Sequence, residues 1–296
     1  MMKIIILFMA LLLTLTFSYD YNEMKTDAIF YVGLATFLTF SGLVVAYLIG
    51  KASNNVQIIG WINVESANII ISIILTLIIL TGFISINEAI ENVYGSDMFT
   101  ISFGYIDSLV NEALDLAVSN TKDSVLDQYK TTDYMFIGTP MTSSGGCGKS
   151  YRGFYMAYAQ HKEMVVDLLT TAAISLQVQK YILYAITSIT LTFFLPIGLM
   201  LRIIPKLRPA GNFMIALAFA LGIIYPATYV LHNEMHNQLF AGGTMNINFN
   251  DEVFSNDMLE KMALIFPQAY FFPNITFIIV GAFVAGMYRA LDGIKV

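Results

Sequence analysis

The chain has 296 residues, 57% of them hydrophobic and only 12% charged, with a mean hydropathy of +0.68. Soluble domains carry about a quarter charged residues, so this composition, gathered into long apolar blocks, excludes an ordinary soluble domain and indicates a polytopic membrane protein. The net charge of −6 argues against a nucleic-acid-binding surface dominated by Lys and Arg, and the single cysteine, Cys147, excludes any disulfide within the chain.

Residues 1–18 begin Met-Met-Lys and continue with the apolar stretch Ile4–Phe17, the pattern of a signal peptide. No clear small-x-small triplet precedes Tyr19, so a cleaved signal and a retained anchor both stay open. Either way, Tyr19–Asp27 is expected outside the cell. Residues 28–49 are the first expected span, closed by Gly50-Lys51. Residues 58–86 are the second, with Glu65 and Asn68 in its first third, and a polar turn at 52–57 joins the two.

Residues 87–165 read as a hydrophilic extracellular insert carrying ten acids. Ile101–Val118 is amphipathic: Ile106, Leu109, Val110, Ala113, Leu114, Ala117 and Val118 recur at helical spacing, against Asp107, Asn111, Glu112 and Asp115. Val125, Leu126 and Tyr129 continue the pattern. A Gly/Ser/Thr loop surrounds Cys147 at 138–153. From Phe154 a helix runs without a breaker into the third span, so that 166–201 forms one long helix. His161, Glu163, Asp167, Gln177, Gln179 and Lys180 fall on its extracellular portion.

Residues 202–209 form a basic hinge with Arg202, Lys206 and Arg208 and no acid. A cation excess in a short link between spans marks the cytoplasmic side, and Pro205 and Pro209 turn the chain. The fourth span is expected at 210–231. A second outer loop at 232–266 holds five acids against one lysine. The fifth span is expected at 270–288, and a tail at 289–296 carries Arg289 and Lys295. The expected fold is an all-α integral membrane protein: five transmembrane helices after an N-terminal signal segment, with a helical extracellular insert. The N-terminus lies outside the cell membrane after signal removal, and the C-terminus is cytoplasmic.

Few residues carry a chemical signature. Glu65 is a carboxylate in an apolar helix, which is costly and therefore a functional candidate, with Asn68 beside it. A role in ion or proton translocation stands against an interfacial or packing role. His232 and His236 share a helix face at i, i+4 and, with His161, are candidate metal ligands, although two imidazoles fall short of the three or four ligands that protein sites use. Cys147 is a candidate for an intermolecular bridge. Gly148-Lys149-Ser150 resembles the end of a phosphate-binding loop, but the required glycine five positions earlier is Ser143. Pro196 and Pro226, near Gly198 and Gly222, are expected to bend their spans. No enzyme motif is present, and no cofactor is expected.

Residues 195–229 combine Leu195-Pro196-Ile-Gly198, Leu201-Arg202, Pro205, Arg208, Gly211, Ile215-Ala216 and Tyr225-Pro226-x-x-Tyr229. This hairpin resembles one found in archaeal polytopic membrane proteins associated with DNA exchange and type IV secretion-like systems, in which a multi-span subunit forms the inner-membrane channel. The resemblance implies a non-enzymatic, oligomeric channel or scaffold subunit embedded in the lipid bilayer with other membrane subunits. It further implies that Arg202, Lys206 and Arg208 meet a cytoplasmic ATPase or the phosphates of translocated DNA. The alternative is a small-ion or metal transporter using Glu65 or the outer histidines.

Overall fold

The computed structural model describes residues 21–131, 152–202, 204–241 and 256–293, and every element among them is helical. The expected signal segment, the Gly-rich loop with Cys147 and its neighbouring Lys149-Ser150 lie outside the described residues. Among the described residues, five helices are long and apolar enough to cross a membrane: Glu23–Ala52, Val56–Tyr94, Tyr155–Arg202, Arg208–Gln238 and Lys261–Gly293.

The first two helices, α1 (Tyr21–Ala52) and α2 (Val56–Tyr94), are separated by a tight turn. Asn54 takes the left-handed conformation there, φ +50, which asparagine tolerates better than most residues. The Asn55 side chain caps α2 by accepting from the N–H groups of Gln57 and Ile58 at 3.0 and 3.3 Å. α2 has 39 residues, about 58 Å at 1.5 Å per residue, and so outruns a hydrocarbon core roughly 30 Å thick. It ends at Gly95 (φ +76), whose N–H reaches Glu91 O at 2.8 Å.

Asp97 caps α3 (Met98–Lys130) through the N–H groups of Phe99 and Thr100. The buried Asn87 side chain, back on α2, accepts the N–H of Met98 at 2.9 Å and pins the turn. α2 carries on past 87, so the expected insert begins inside the same helix that forms the second candidate span. The reason is general. Hydropathy marks the part of a helix that lipid tolerates, whereas the hydrogen-bonded ladder continues through polar residues that are good helix formers. The same extension occurs elsewhere. α7 (Tyr225–Ala241) runs ten residues beyond 231, and α8 (Asn256–Phe266) occupies part of the expected loop 232–266, while α4 (Arg152–Ile189) starts within two residues of the expected Phe154.

The remaining helices are α5 (Leu195–Arg202), α6 (Arg208–Phe219) and α9 (Phe272–Gly293). Three widened π turns join consecutive pieces: Thr190–Phe194 leads into α5, Ala220–Ile224 into α7, and Pro267–Phe271 into α9. Each is followed by one residue and then a proline: Leu195-Pro196, Tyr225-Pro226, Phe272-Pro273. Proline has no N–H, and its ring collides with the carbonyl four residues back. Letting the preceding residue donate five residues back opens the turn and relieves that collision. Leu195 N–H indeed reaches Thr190 O, Tyr225 reaches Ala220 O and Phe272 reaches Pro267 O. Pro196 and Pro226, the prolines expected to bend their spans, each follow such a turn. Pro273 does the same at a place the sequence reading passed over.

The chain divides into two compact units. One comprises Met1–Ile101, Tyr181–Thr228 and Phe277–Val296; the other comprises Ser102–Lys180 and Tyr229–Thr276. In the first, α1 packs on α2 and α5, and α5 on α6. Phe219 stacks on Phe283 at 5.3 Å between ring centres, and Tyr225 meets Phe277 at 5.8 Å. Phe30, Phe37, Phe40, Val64, Ile78 and Ile278 remain exposed, the arrangement expected of a surface that faces hydrocarbon.

In the second unit, α3 buries Phe103, Ile106, Leu109, Ala113 and Ala117, and α4 buries Leu169, Ala172 and Leu176. The expected apolar stripe is split, because Leu114 and Val118 are exposed. Near the end of α3 the pattern inverts. Asn120, Ser124 and Asp127 turn inward while Val125, Leu126 and Tyr129 face out. Ser124 Oγ donates to Ala159 O at 3.2 Å, and Lys162 Nζ reaches Asp127 at 2.6 Å.

Candidate functional site

Two arrangements of polar side chains stand out, one in each unit. The first is built on the basic hinge. α5 and α6 approach closely because Gly198 and Gly211 face the opposite helix. A Cβ at 211 would lie 2.7 Å from Gly198 O and from Arg202 Cγ, and a Cβ at 198 would lie 2.8 Å from Ile215 Cγ1. Between the helices the chain turns through Leu207 N–H to Ile204 O, at 2.8 Å. Pro209 sits in the first turn of α6, where its missing donor costs nothing.

The hinge cations have different fates. Arg208 pairs with Glu65 of α2, whose side chain is 4% exposed, and Asn68 Nδ2 supports the other carboxylate oxygen at 3.4 Å. Arg202 is buried, 5% exposed, with Nε and Nη1 lacking any acceptor. Asn212, one residue beyond the glycine that packs on Arg202, is also buried, and its Oδ1 has no donor. Only Lys206 of the three is exposed, flanked by exposed Ile204 and Leu207. The three hinge cations thus differ in exposure, and Lys206 is the most open of them. A guanidinium that ties α6 to α2, and another sealed between α5 and α6, are not open surface charges. Charge counting cannot separate these cases, because it sees neither Gly211 nor the distant Glu65.

The second arrangement is a buried, uncharged network. The wide turn Pro267–Phe271 leaves the Ala269 carbonyl, four residues before Pro273, without a helical donor. Ser175 Oγ donates to it at 2.7 Å, and Gln179 Nε2 donates to the carbonyls of Gln268 and Ala269 at 3.3 and 3.4 Å. Tyr229 OH donates to Gln179 Oε1 at 3.1 Å, and Tyr105 OH to Gln268 Oε1 at 3.4 Å. Burial pushes the Tyr105 hydroxyl well above the usual phenol range, so it keeps its proton and acts as a donor.

His232 joins this unit through ring contacts. It stacks on Phe272 at 4.5 Å and meets Tyr229 edge-on at 6.0 Å, while His236 meets Tyr105 at 5.8 Å. His161 is exposed on α4. Among the described residues, no three His, Cys, Asp or Glu side chains gather where they would hold a metal ion. The sequence reading named the histidines and put Gln179 on an extracellular stretch; it missed Tyr105, Ser175, Tyr229 and Gln268. The available signal was Phe272-Pro273 inside an apolar run, which requires some donor for the carbonyl it orphans.

Among the described residues these features define an all-helical protein with five helices long and apolar enough to cross a membrane. Comparison with protein-family models, with curated proteins and with solved structures found no match.

Proposed function

We propose that the chain is a non-enzymatic polytopic membrane subunit, a channel or scaffold of a macromolecular translocation apparatus of the DNA-transfer or type IV secretion-like kind. In this reading a signal segment directs insertion, the acidic insert lies outside, and the hinge and C-terminus lie in the cytoplasm. The observation that carries it is the hinge itself. Glycine packing between α5 and α6 and the Glu65–Arg208 pair brace the hairpin, and its tip presents Ile204, Lys206 and Leu207 outward. A basic, partly apolar tip held on a braced support suits docking by a cytoplasmic ATPase or another subunit, because little ordering entropy remains to be lost on binding.

The alternative, a small-ion or metal transporter, has Glu65 as its main carrier. That carboxylate is engaged by Arg208, so transport through it requires the pair to open in every cycle. A photo-crosslinking residue at Ile204 or Lys206, used in the host membrane, tests the docking reading. The expected product is a covalent adduct with a subunit of a translocation machine, together with a large assembly on native gels. A lone monomer crosslinked only to lipid overturns it. Flux in proteoliposomes that is abolished by E65Q would instead establish the transporter.

A further inference from the structure

We propose that the α5–α6 hairpin contains a binding site for a phosphate-bearing anion, the headgroup of an anionic lipid, with Arg202 as its principal ligand. A guanidinium stays protonated under all ordinary conditions, so it cannot escape burial by losing its charge as a lysine or histidine does. Burying such a charge without a partner is among the costliest arrangements a fold can hold. Arg202 keeps 5% of its surface, and Nε and Nη1 contribute none of it while lacking an acceptor. Glu65 of α2, the acid that pairs with a hinge cation, is taken by Arg208. Among the described residues no acid pairs with Arg202, and the proposal supplies its counter-charge from a bound anion.

The chemistry of the ligand follows from the groups it meets. A fork of N–H donors matches two oxygens of a phosphate. Lys206, four residues on and exposed, adds a second cation at the tip. Asn212 offers the complementary feature, an Oδ1 in need of a donor, which a headgroup hydroxyl supplies. Basic sites between spans at a membrane surface are where lipid headgroups bind. A glycerol-bearing phosphodiester such as phosphatidylglycerol meets both demands; the zwitterionic phosphatidylcholine offers neither the net charge nor the hydroxyl. Buried Arg202 and Asn212 are distinct from the exposed tip assigned to subunit docking, with which the site shares Lys206 alone.

Thermal unfolding of the full chain in detergent tests this, with phosphatidylglycerol, phosphatidylcholine or inorganic phosphate added. Phosphatidylglycerol well above its Kd is expected to raise the Tm by about 5 °C, with phosphatidylcholine inert and R202M unresponsive. Equal responses to phosphate and phosphatidylglycerol, both lost in R202M, keep the anion site but make free phosphate its ligand. Equal responses to both lipids, or a Tm for R202M above that of the native chain with no lipid response in either, overturn the proposal. A response to duplex DNA in place of lipid also overturns it. Should R202M fail to fold, native mass spectrometry of the unaltered chain decides: one anionic lipid retained through delipidation supports the site, and none retained refutes it.

Discussion

Glu65 and Arg208, 143 positions apart, close an ion pair that fastens α2 to the start of α6. The two partners are unequally exposed, Glu65 at 4% and Arg208 at 27%. Losing the arginine strands a buried carboxylate, whereas losing the carboxylate leaves an arginine able to swing toward water or headgroups. R208Q is therefore expected to destabilise the fold more than E65Q, by about 3 kcal/mol against about 1 kcal/mol. The double variant should cost less than the two single losses added together. Unfolding midpoints of the four proteins in one detergent test this, and additive losses would show that the pair contributes nothing of its own.

Glycine substitutions in the spans should divide by what a methyl group meets. Gly211→Ala sets a Cβ against the backbone of Gly198 and Arg202, where nothing flexible can give way, and should cost about 1–3 kcal/mol. Gly281→Ala and Gly286→Ala meet nothing within 4 Å. Helix propensity alone should make them neutral or stabilising by up to about 1 kcal/mol. Melting temperatures of the three variants check the order, and equal effects would refute the close approach of α5 and α6.

The apolar runs made the five long helices legible, because 20 consecutive lipid-compatible residues have few other uses. Residues that join the helices were much harder to read. Asn87, Gln179 and Gln268 look like ordinary polar residues near span ends, yet Asn87 holds the α2–α3 turn and the two glutamines bond around a widened turn. Periodicity reports which face is apolar but not which polar group lies within reach of an orphaned carbonyl. Glu65 was conspicuous as an intramembrane acid, but its partner, 143 positions away, was not. On α3 the pattern misled in the opposite sense, since Val125 and Tyr129 face out and Asp127 faces in.

Pro273 offers a test of how the wide turns are maintained. P273A restores an N–H opposite the Ala269 carbonyl, which accepts from Ser175 and Gln179. The new donor should compete with those side chains and tighten Pro267–Phe271 toward ordinary helix. Hydrogen exchange at residues 268–273 is expected to slow. Q179A, which removes the Nε2 group that bonds both carbonyls and the oxygen that accepts from Tyr229, should cost about 1–3 kcal/mol in the native chain. It should cost measurably less in P273A. An identical cost in both backgrounds would show that the glutamine does not serve the carbonyl that proline leaves open.

Asp127 sets an acid limit on the α3–α4 contact. Burial alone would raise its carboxyl above the ordinary 3.8, but hydrogen bonds and charge from Lys162 and Lys130 outweigh that and hold it lower. A carboxyl held low in the folded state contributes stability above its unfolded value and loses that contribution as pH falls through the folded value. The contact should thus be fully effective at neutral pH and weaken below about pH 4. D127N cannot titrate, so its stability should change less than that of the native chain between about pH 5 and 3. It should already be the less stable protein at pH 7. K162M leaves Lys130 as the remaining partner and should shift the acid limb of the native curve toward higher pH without removing it. Thermal unfolding across this range checks both curves, and superimposable acid limbs for the native chain and D127N would show that Asp127 takes no part in the limit.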